Sequence, residues 1–220
     1  MINSRILMVD DHPIITDAYR NSILNFAKSN EDFIFHIDTA VCCDSALIYL
    51  NEFSYDVVFL DISLPTSKDQ RFKSGEELGV FIKENYSNTK IIVITGYRDS
   101  FIMSRLLEFL APDALLYKGD VDPETCSNSL ISILKNIPFY SSSILQLIRK
   151  KLSSDIRLSK TEKILLYEIE KGTTIKELSD MLHMSVGAVE KRKRHLKDIF
   201  NISVSEDAAL ILAAKEIGFV

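Results

Sequence analysis

A chain of 220 residues with 46% apolar side chains has room for one large or two modest domains and enough apolar material to pack their cores. Its net charge of −5 is unevenly spread: −8 over residues 1–138, +2 over 139–156 and +1 over 157–220, so the first part is not a nucleic-acid binder. The three cysteines, Cys42, Cys43 and Cys126, are an odd set with two sequence neighbours, which argues against a disulfide framework; with no apolar stretch of membrane-spanning length, a cytoplasmic protein with no membrane partner is expected.

Short apolar runs near 5–9, 33–40, 57–61, 90–95 and 114–117 alternate with helix-length segments near 13–28, 43–52, 75–86, 99–110 and 122–136. Such runs, rich in β-branched residues, read as buried parallel strands, which need helical crossovers. The alternation therefore predicts an α/β fold: a flavodoxin-like, doubly wound, five-stranded parallel sheet of order 2-1-3-4-5, with strands one and three side by side at the switch point. The carboxyl ends of such strands line the ligand crevice. Here they deliver Asp10-Asp11, Asp61, Thr95 and Lys118. Three carboxylates, a hydroxyl and an ammonium group are the set needed for Mg²⁺-assisted phosphorylation of an aspartate. The polar segment 66–74, TSKDQRFKS, reads as an extended loop beside that crevice, and His12 as a surface residue.

At 139 the alternation stops. Tyr140-Ser141-Ser142-Ser143 reads as a turn and helix cap before a basic helix near 144–152, which makes 1–138 one domain and 139–156 a linker. The domain 157–220 reads as all helical, with helices near 159–170, 175–182, 186–199 and 205–216. Ile175, Leu178, Met181 and Leu182 space as a core face, and His183-Met184-Ser185 forms a turn whose serine caps the next helix. On that helix Val189, Leu196, Ile199 and Phe200 point inward, leaving Glu190, Lys191, Arg192, Lys193, Arg194 and Lys197 on the outer face, a basic segment of the kind that can bind DNA. The last helix carries Ala208, Leu210, Ile211, Leu212 and Ala214, more apolar positions than its own core requires, which predicts a dimer contact.

These segments resemble a family. DDHP at 10–13, FLDISLP at 59–65, IIVITG at 91–96 and LLYK at 115–118, followed by LSKTEKILL at 158–166, IKELSDMLHMSVGAVEKR at 175–192 and the terminal IGFV, are similar to two-component response regulators of the NarL/FixJ group. That resemblance implies a receiver domain over 1–138 and a small all-α LuxR-type helix-turn-helix DNA-binding domain over 157–220. It implies Asp61 as the acceptor of a phosphoryl group from a sensor histidine kinase, double-stranded DNA as a partner, a homodimer as the active form, and RNA polymerase as a further candidate partner.

Beside the resemblance, the chemistry assigns roles. A carboxylate attacks phosphorus poorly because both are anionic, so a divalent cation must neutralise oxygens on each. Asp11 and Asp61 are the expected direct Mg²⁺ ligands, with Asp10 holding a coordinated water and the Ser63 carbonyl closing the shell. Lys118 and the Thr95 hydroxyl are expected to meet phosphoryl oxygens, and the backbone amides of Ile62 and Gly96 to complete the cradle. By family alignment Glu190, Lys191 and Arg194 face bases, with Arg192 and Lys197 more to the flanks. In two places the sequence departs from the family: Leu115 stands where an aromatic usually precedes the lysine by three, and the 66–74 loop is longer than usual. Tyr117, adjacent to Lys118, is expected on the opposite face of the strand and not to replace that aromatic.

The reading is a phosphorylation-regulated transcription factor and not a turnover enzyme. Two rivals stand beside it: an atypical regulator that binds DNA constitutively, to which Leu115 lends weight, and a Mg²⁺-dependent phosphatase with Asp61 as nucleophile, which leaves the C-terminal helices unexplained.

Overall fold

A computed structural model describes residues 1–97, 99–153, 156–204 and 206–220, with Ser100 by its backbone alone. Contacts divide the chain into two units, Met1–Arg98 with Ser104–Leu145, and Asp99–Met103 with Gln146–Val220. In the first, β1 (Ile2–Val9), α1 (Pro13–Lys28), β2 (Phe33–Ala40), α2 (Cys43–Glu52), β3 (Val57–Asp61), α3 (Gly75–Asn85), β4 (Lys90–Thr95), α4 (Ser100–Arg105), β5 (Ala114–Tyr117) and α5 (Pro123–Leu134) follow in order, although α4 begins among residues of the second unit. The strands pair in parallel in the expected 2-1-3-4-5 order.

The sheet is nevertheless six-stranded. A short β6 (Phe139–Tyr140) adds to the free edge of β5, where the Phe139 amide donates to the Asp113 carbonyl and that of Ser141 to the Leu115 carbonyl, both at 3.2 Å. The expectation of five strands, with alternation ending at 139, is corrected on that point. Two residues of pairing satisfy an edge that a direct turn into helix would have left open. The following helix, α6 (Ser142–Leu152), starts two residues earlier than expected and contains the boundary between the units. At the end of the expected linker, Ser154 and Asp155 lie outside the described residues.

Burial explains the strand sequences. All of β3 is buried, as a strand with neighbours on both sides and helices on both faces must be, whereas β2, at the edge, mixes His36 and Asp38 with its apolar residues. One face of the sheet packs Ile6, Met8, Phe59, Ile92, Ile94 and Leu116 against Ile23 of α1 and Cys126, Leu130 and Ile133 of α5. The residues between them, Leu7, Leu60, Val93 and Leu115, are buried too and take the opposite face by strand alternation. The expected helix 99–110 is regular only to Arg105 and then widens into a π turn over Leu106–Leu110. The left-handed Ala111 (φ 43°) ends it, and Lys83 Nζ donates to the carbonyls of Leu110 and Ala111.

The second unit holds α7 (Lys160–Glu170), α8 (Ile175–Met181), α9 (Val186–Ile199) and α10 (Asp207–Ile217). Each of the first three has a side-chain cap for its orphan amides: Ser159 with Glu162, Thr174 with Glu177, and Ser185 accepting from the Ala188 amide. His183, left-handed at φ 51°, makes the turn between α8 and α9. Leu165, Leu178, Val189, Leu196, Phe200 and Leu210 form the core with Phe219 and Val220. Met181 is not part of it. It is 51% exposed, as the last residue of α8. Ser205, the expected first residue of the last helix, lies outside the described residues.

Gly75 ties this fold to the crevice. A Cβ there would fall 1.9 Å from the Asp61 carbonyl oxygen, so α3 can start against the end of β3 only with glycine. Gly75→Ala is expected to lower unfolding free energy by about 1–3 kcal/mol through overpacking. Urea denaturation checks this, and an unchanged midpoint would mean that the loop relaxes freely.

Candidate functional site

Because β1 and β3 are neighbours in register, with Val9 opposite Leu60, Asp10 and Asp61 leave the sheet side by side. Both are buried, Asp61 to 2% exposure. Lys118, at the end of β5, reaches between them: its Nζ donates to Asp10 Oδ2 at 2.9 Å and Asp61 Oδ2 at 2.7 Å. Burial alone would lower the Lys118 pKa, but hydrogen bonds and charge from Asp61 and Asp10 outweigh it and raise the pKa above the ordinary lysine value. The ammonium is therefore charged at any physiological pH.

The other Asp61 oxygen accepts from the Ser63 amide at 2.9 Å, which fixes the carboxylate plane. Ser63 itself is exposed beyond the strand end, and Asp11 is more open than Asp10. His12 lies closer to the acids than a plain surface residue, with Nδ1 at 2.7 Å from Asp11 Oδ1 and 3.2 Å from Asp10 Oδ1. Asp10, Asp11, His12 and Asp61 each offer one atom within 4.8 Å of the others, an arrangement able to hold a metal ion. Three of the four donors are carboxylate oxygens, which suits a hard divalent cation. Beneath them, Thr16 and Tyr19 of α1 line a small cavity, and burial pushes the Tyr19 hydroxyl up to about 12. Nothing in the local pattern marks Tyr19, which reads as one more core residue of an amphipathic helix.

Thr95 is buried at the end of β4, and its Oγ1 accepts from the Tyr97 amide at 3.1 Å. Gly96 follows it at the exposed rim, while Ile62 is buried behind Asp61. Leu115 lies fully in the core. Thr95 pairs directly with Tyr117 across the β4–β5 ladder, and Tyr117, two residues beyond Leu115, shares its face of the strand. Thr95 thus has an aromatic neighbour one pleat farther along than the family pattern places it. This pairing stands beside the expectation that Tyr117 is no obvious replacement for that aromatic.

On α9 the exposed residues are Val186, Gly187, Glu190, Lys191, Arg194, His195 and Asp198, one stripe at helical spacing. Glu190, Lys191 and Arg194 therefore lie together, as expected. Lys193 and Lys197 do not join them, and the expectation that both are free for DNA is corrected. Lys193 Nζ is 2.6 Å from Asp207 Oδ2 and Lys197 Nζ is 3.2 Å from Asp207 Oδ1, with side chains only 19% and 12% exposed. Asp207, in the first turn of α10, has its pKa lowered because bonds from Lys193 and Lys197 outweigh the effect of burial. Arg192 is half-buried on the side of Glu162.

Comparison with known proteins agrees with this geometry. Residues 6–122 match the response regulator receiver domain. The chain is 26% identical over 214 residues to the transcriptional regulatory protein RcsB of Salmonella typhi, covering 96% of this chain and 94% of that one. It is also 26% identical over 215 residues to the oxygen regulatory protein NreC of Staphylococcus carnosus, covering 90% and 91%. Among solved structures, RcsB from Salmonella enterica serovar Typhimurium, bound to promoter rprA in the presence of phosphomimetic BeF3-, superposes with a TM-score of 0.66 at 22% identity, over 98% of this chain and 100% of that one. With the acid cluster, the lysine and the strand order of a receiver all in place, the chain belongs to the response regulator receiver family.

Proposed function

We propose that the protein is a two-component response regulator in which phosphorylation of Asp61 controls DNA binding by α9 and hence transcription. The observation that carries this reading is the Lys118 ammonium held between Asp10 and Asp61, in a chain whose other unit displays a stripe with Lys191 and Arg194. An Asp61 Oδ attacks the phosphorus of a phosphohistidine on a sensor kinase. The P–O bond forms, the P–N bond breaks, and the electron pair stays on the imidazole nitrogen, which takes a proton. Asp11, Asp61 and the Ser63 carbonyl would hold Mg²⁺ directly and Asp10 through a water; when bound, the ion neutralises charge on the nucleophile and phosphoryl oxygens. Lys118 then turns from Asp61 to a phosphoryl oxygen, the Thr95 hydroxyl donates to a second, and the Ile62 and Gly96 amides complete the cradle.

The product stays covalently attached, so the chain acts stoichiometrically and is not a turnover enzyme. DNA binding is supported by the exposed stripe on α9 and by the full-length relation to RcsB, whose promoter complex was formed with a phosphomimetic. A homodimer is supported by α10, where Leu212 is 62% exposed and Ala208, one turn earlier, is exposed too. Cytoplasmic location fits DNA as target and RNA polymerase as downstream partner, and no described helix is long and apolar enough to cross a membrane. Constitutive DNA binding remains the second reading, favoured by the aliphatic Leu115.

Asp61→Asn is expected to abolish stoichiometric labelling by acetyl phosphate with Mg²⁺, and with it any gain in DNA affinity that acetyl phosphate produces in the parent protein. Labelling that persists would remove Asp61 as acceptor. Equal DNA affinity of the parent with and without labelling would favour the constitutive reading.

The ion pairs on α9 sharpen a second expectation. Each phosphate contact contributes about 0.9 to the slope of log affinity against log salt. Lys193→Gln and Lys197→Gln should leave that slope on a mixed-sequence duplex unchanged. Lys191→Gln and Arg194→Gln should either reduce it or relax preference at one base position in a site library. A reduced slope for the first pair would show that Asp207 releases its lysines on DNA.

A further inference from the structure

Two residues past Lys118, the chain makes a contact that the phosphoryl chemistry does not require. Lys118–Asp120 form a single 3₁₀ turn between β5 and α5. At its end Asp120 Oδ2 accepts from Ser141 Oγ at 2.7 Å and from the Ser143 amide at 2.8 Å, while Oδ1 accepts from Ser143 Oγ at 2.8 Å. Asp120 therefore caps α6 from a distant part of the sequence. Ser141, only 3% exposed, passes the contact back, because its Oγ also accepts from the Tyr117 amide at 3.1 Å and its own amide donates to the Leu115 carbonyl at 3.2 Å. The strand residue beside Lys118, the turn that begins with Lys118 and the first turn of α6 thus share one hydrogen-bond network.

The turn has little slack. A Cβ on Gly119 would lie 2.4 Å from the Tyr117 ring, so the middle residue is folded directly over the aromatic that pairs with Thr95. Burial alone would raise the Asp120 pKa, but bonds from Ser141 and Ser143 outweigh it and hold the carboxyl below the usual range, so it is ionised and accepting at neutral pH. Any part of the Lys118 movement that its side-chain torsions do not take up, as the ammonium leaves Asp61 for a phosphoryl oxygen, must be absorbed within two peptide units or transmitted to Asp120. Nothing in the acceptor chemistry needs a carboxylate at 120 or serines at 141 and 143.

We propose that Asp120 is a positioning residue that transmits the state of Lys118 to the first turn of α6. The aspartate and two serines form a clamp that is set in one geometry when Lys118 binds Asp61 and in another when it binds the phosphoryl group. This rests on Asp61 as the phosphoacceptor, and it assigns the relay to a helix that carries the chain from one unit into the other.

The test uses the full chain with beryllofluoride and Mg²⁺ as the phosphoryl analogue, read by amide hydrogen exchange. In the parent protein, exchange at residues 142–146 is expected to change severalfold on adding the analogue. Asp120→Asn and Ser141→Ala should reduce that change to less than twofold while leaving acetyl phosphate labelling of Asp61 within twofold of the parent. The gain in DNA affinity on labelling should shrink in the same variants. If residues 142–146 exchange identically with and without the analogue in the parent, while amides around Asp61 respond, the clamp does not sense the site and the proposal fails. An undiminished response in both variants also overturns it. If no amide around Asp61 responds and no labelling occurs, it is the assignment of the acceptor that fails, and the relay falls with it. Should Asp120→Asn not fold, Ser141→Ala, which keeps the carboxylate and the Ser143 bonds, decides the matter alone.

Discussion

Placing two buried carboxylates and a third, more open one at the ends of adjacent parallel strands is electrostatically costly, and Lys118 is what makes it tolerable. Their oxygens gather within 4.8 Å, a separation at which a like-charged pair repels by about 3–4 kcal/mol at an effective dielectric of 20. The ammonium, 2.9 and 2.7 Å from Asp10 and Asp61, offsets that repulsion from the far side of the crevice. The same arrangement makes the site responsive: anything that brings positive charge to the acids, or negative charge to Lys118, competes with an existing contact. A divalent ion does the first and a phosphoryl group the second. The resting ion pair is thus both the stabiliser of the crevice and the contact that the chemistry exchanges.

Much of this was legible in the sequence, for a physical reason. Strands buried on both faces must be short, apolar and β-branched, so Val57–Asp61 and Lys90–Thr95 announce themselves, and the polar residues that end such runs must lie at the rim. β6 was not legible, because two residues carry no periodicity and Phe139-Tyr140 pairs only where the edge of β5 is free. The π turn after Arg105 was hidden too, since an apolar run gives the same reading for a regular or a widened helix.

In the helical unit the limit is different. Periodicity separated the inward Val189 and Leu196 from the outward charges, but it could not tell a charge facing solvent from one facing another element. Lys193 and Lys197 are outward on α9 and still lie against Asp207, a residue of α10 with no pattern linking it to α9. Tertiary ion pairs of this kind leave no local mark. The usable basic surface is therefore narrower than composition suggests, and Lys191 and Arg194 are its exposed cations within the described length of α9.

The claim that Lys118 holds the acid cluster together is tested most directly by thermal unfolding of the parent protein and Lys118→Met across a Mg²⁺ titration. Without Mg²⁺ the variant should be less stable, by about 1–3 kcal/mol for removing one partner of a largely buried, hydrogen-bonded charge pair. With Mg²⁺ it should gain more stability than the parent, because the ion meets three carboxylates with no ammonium competing for them. A variant as stable as the parent without the ion, and no more responsive to it, would contradict the account.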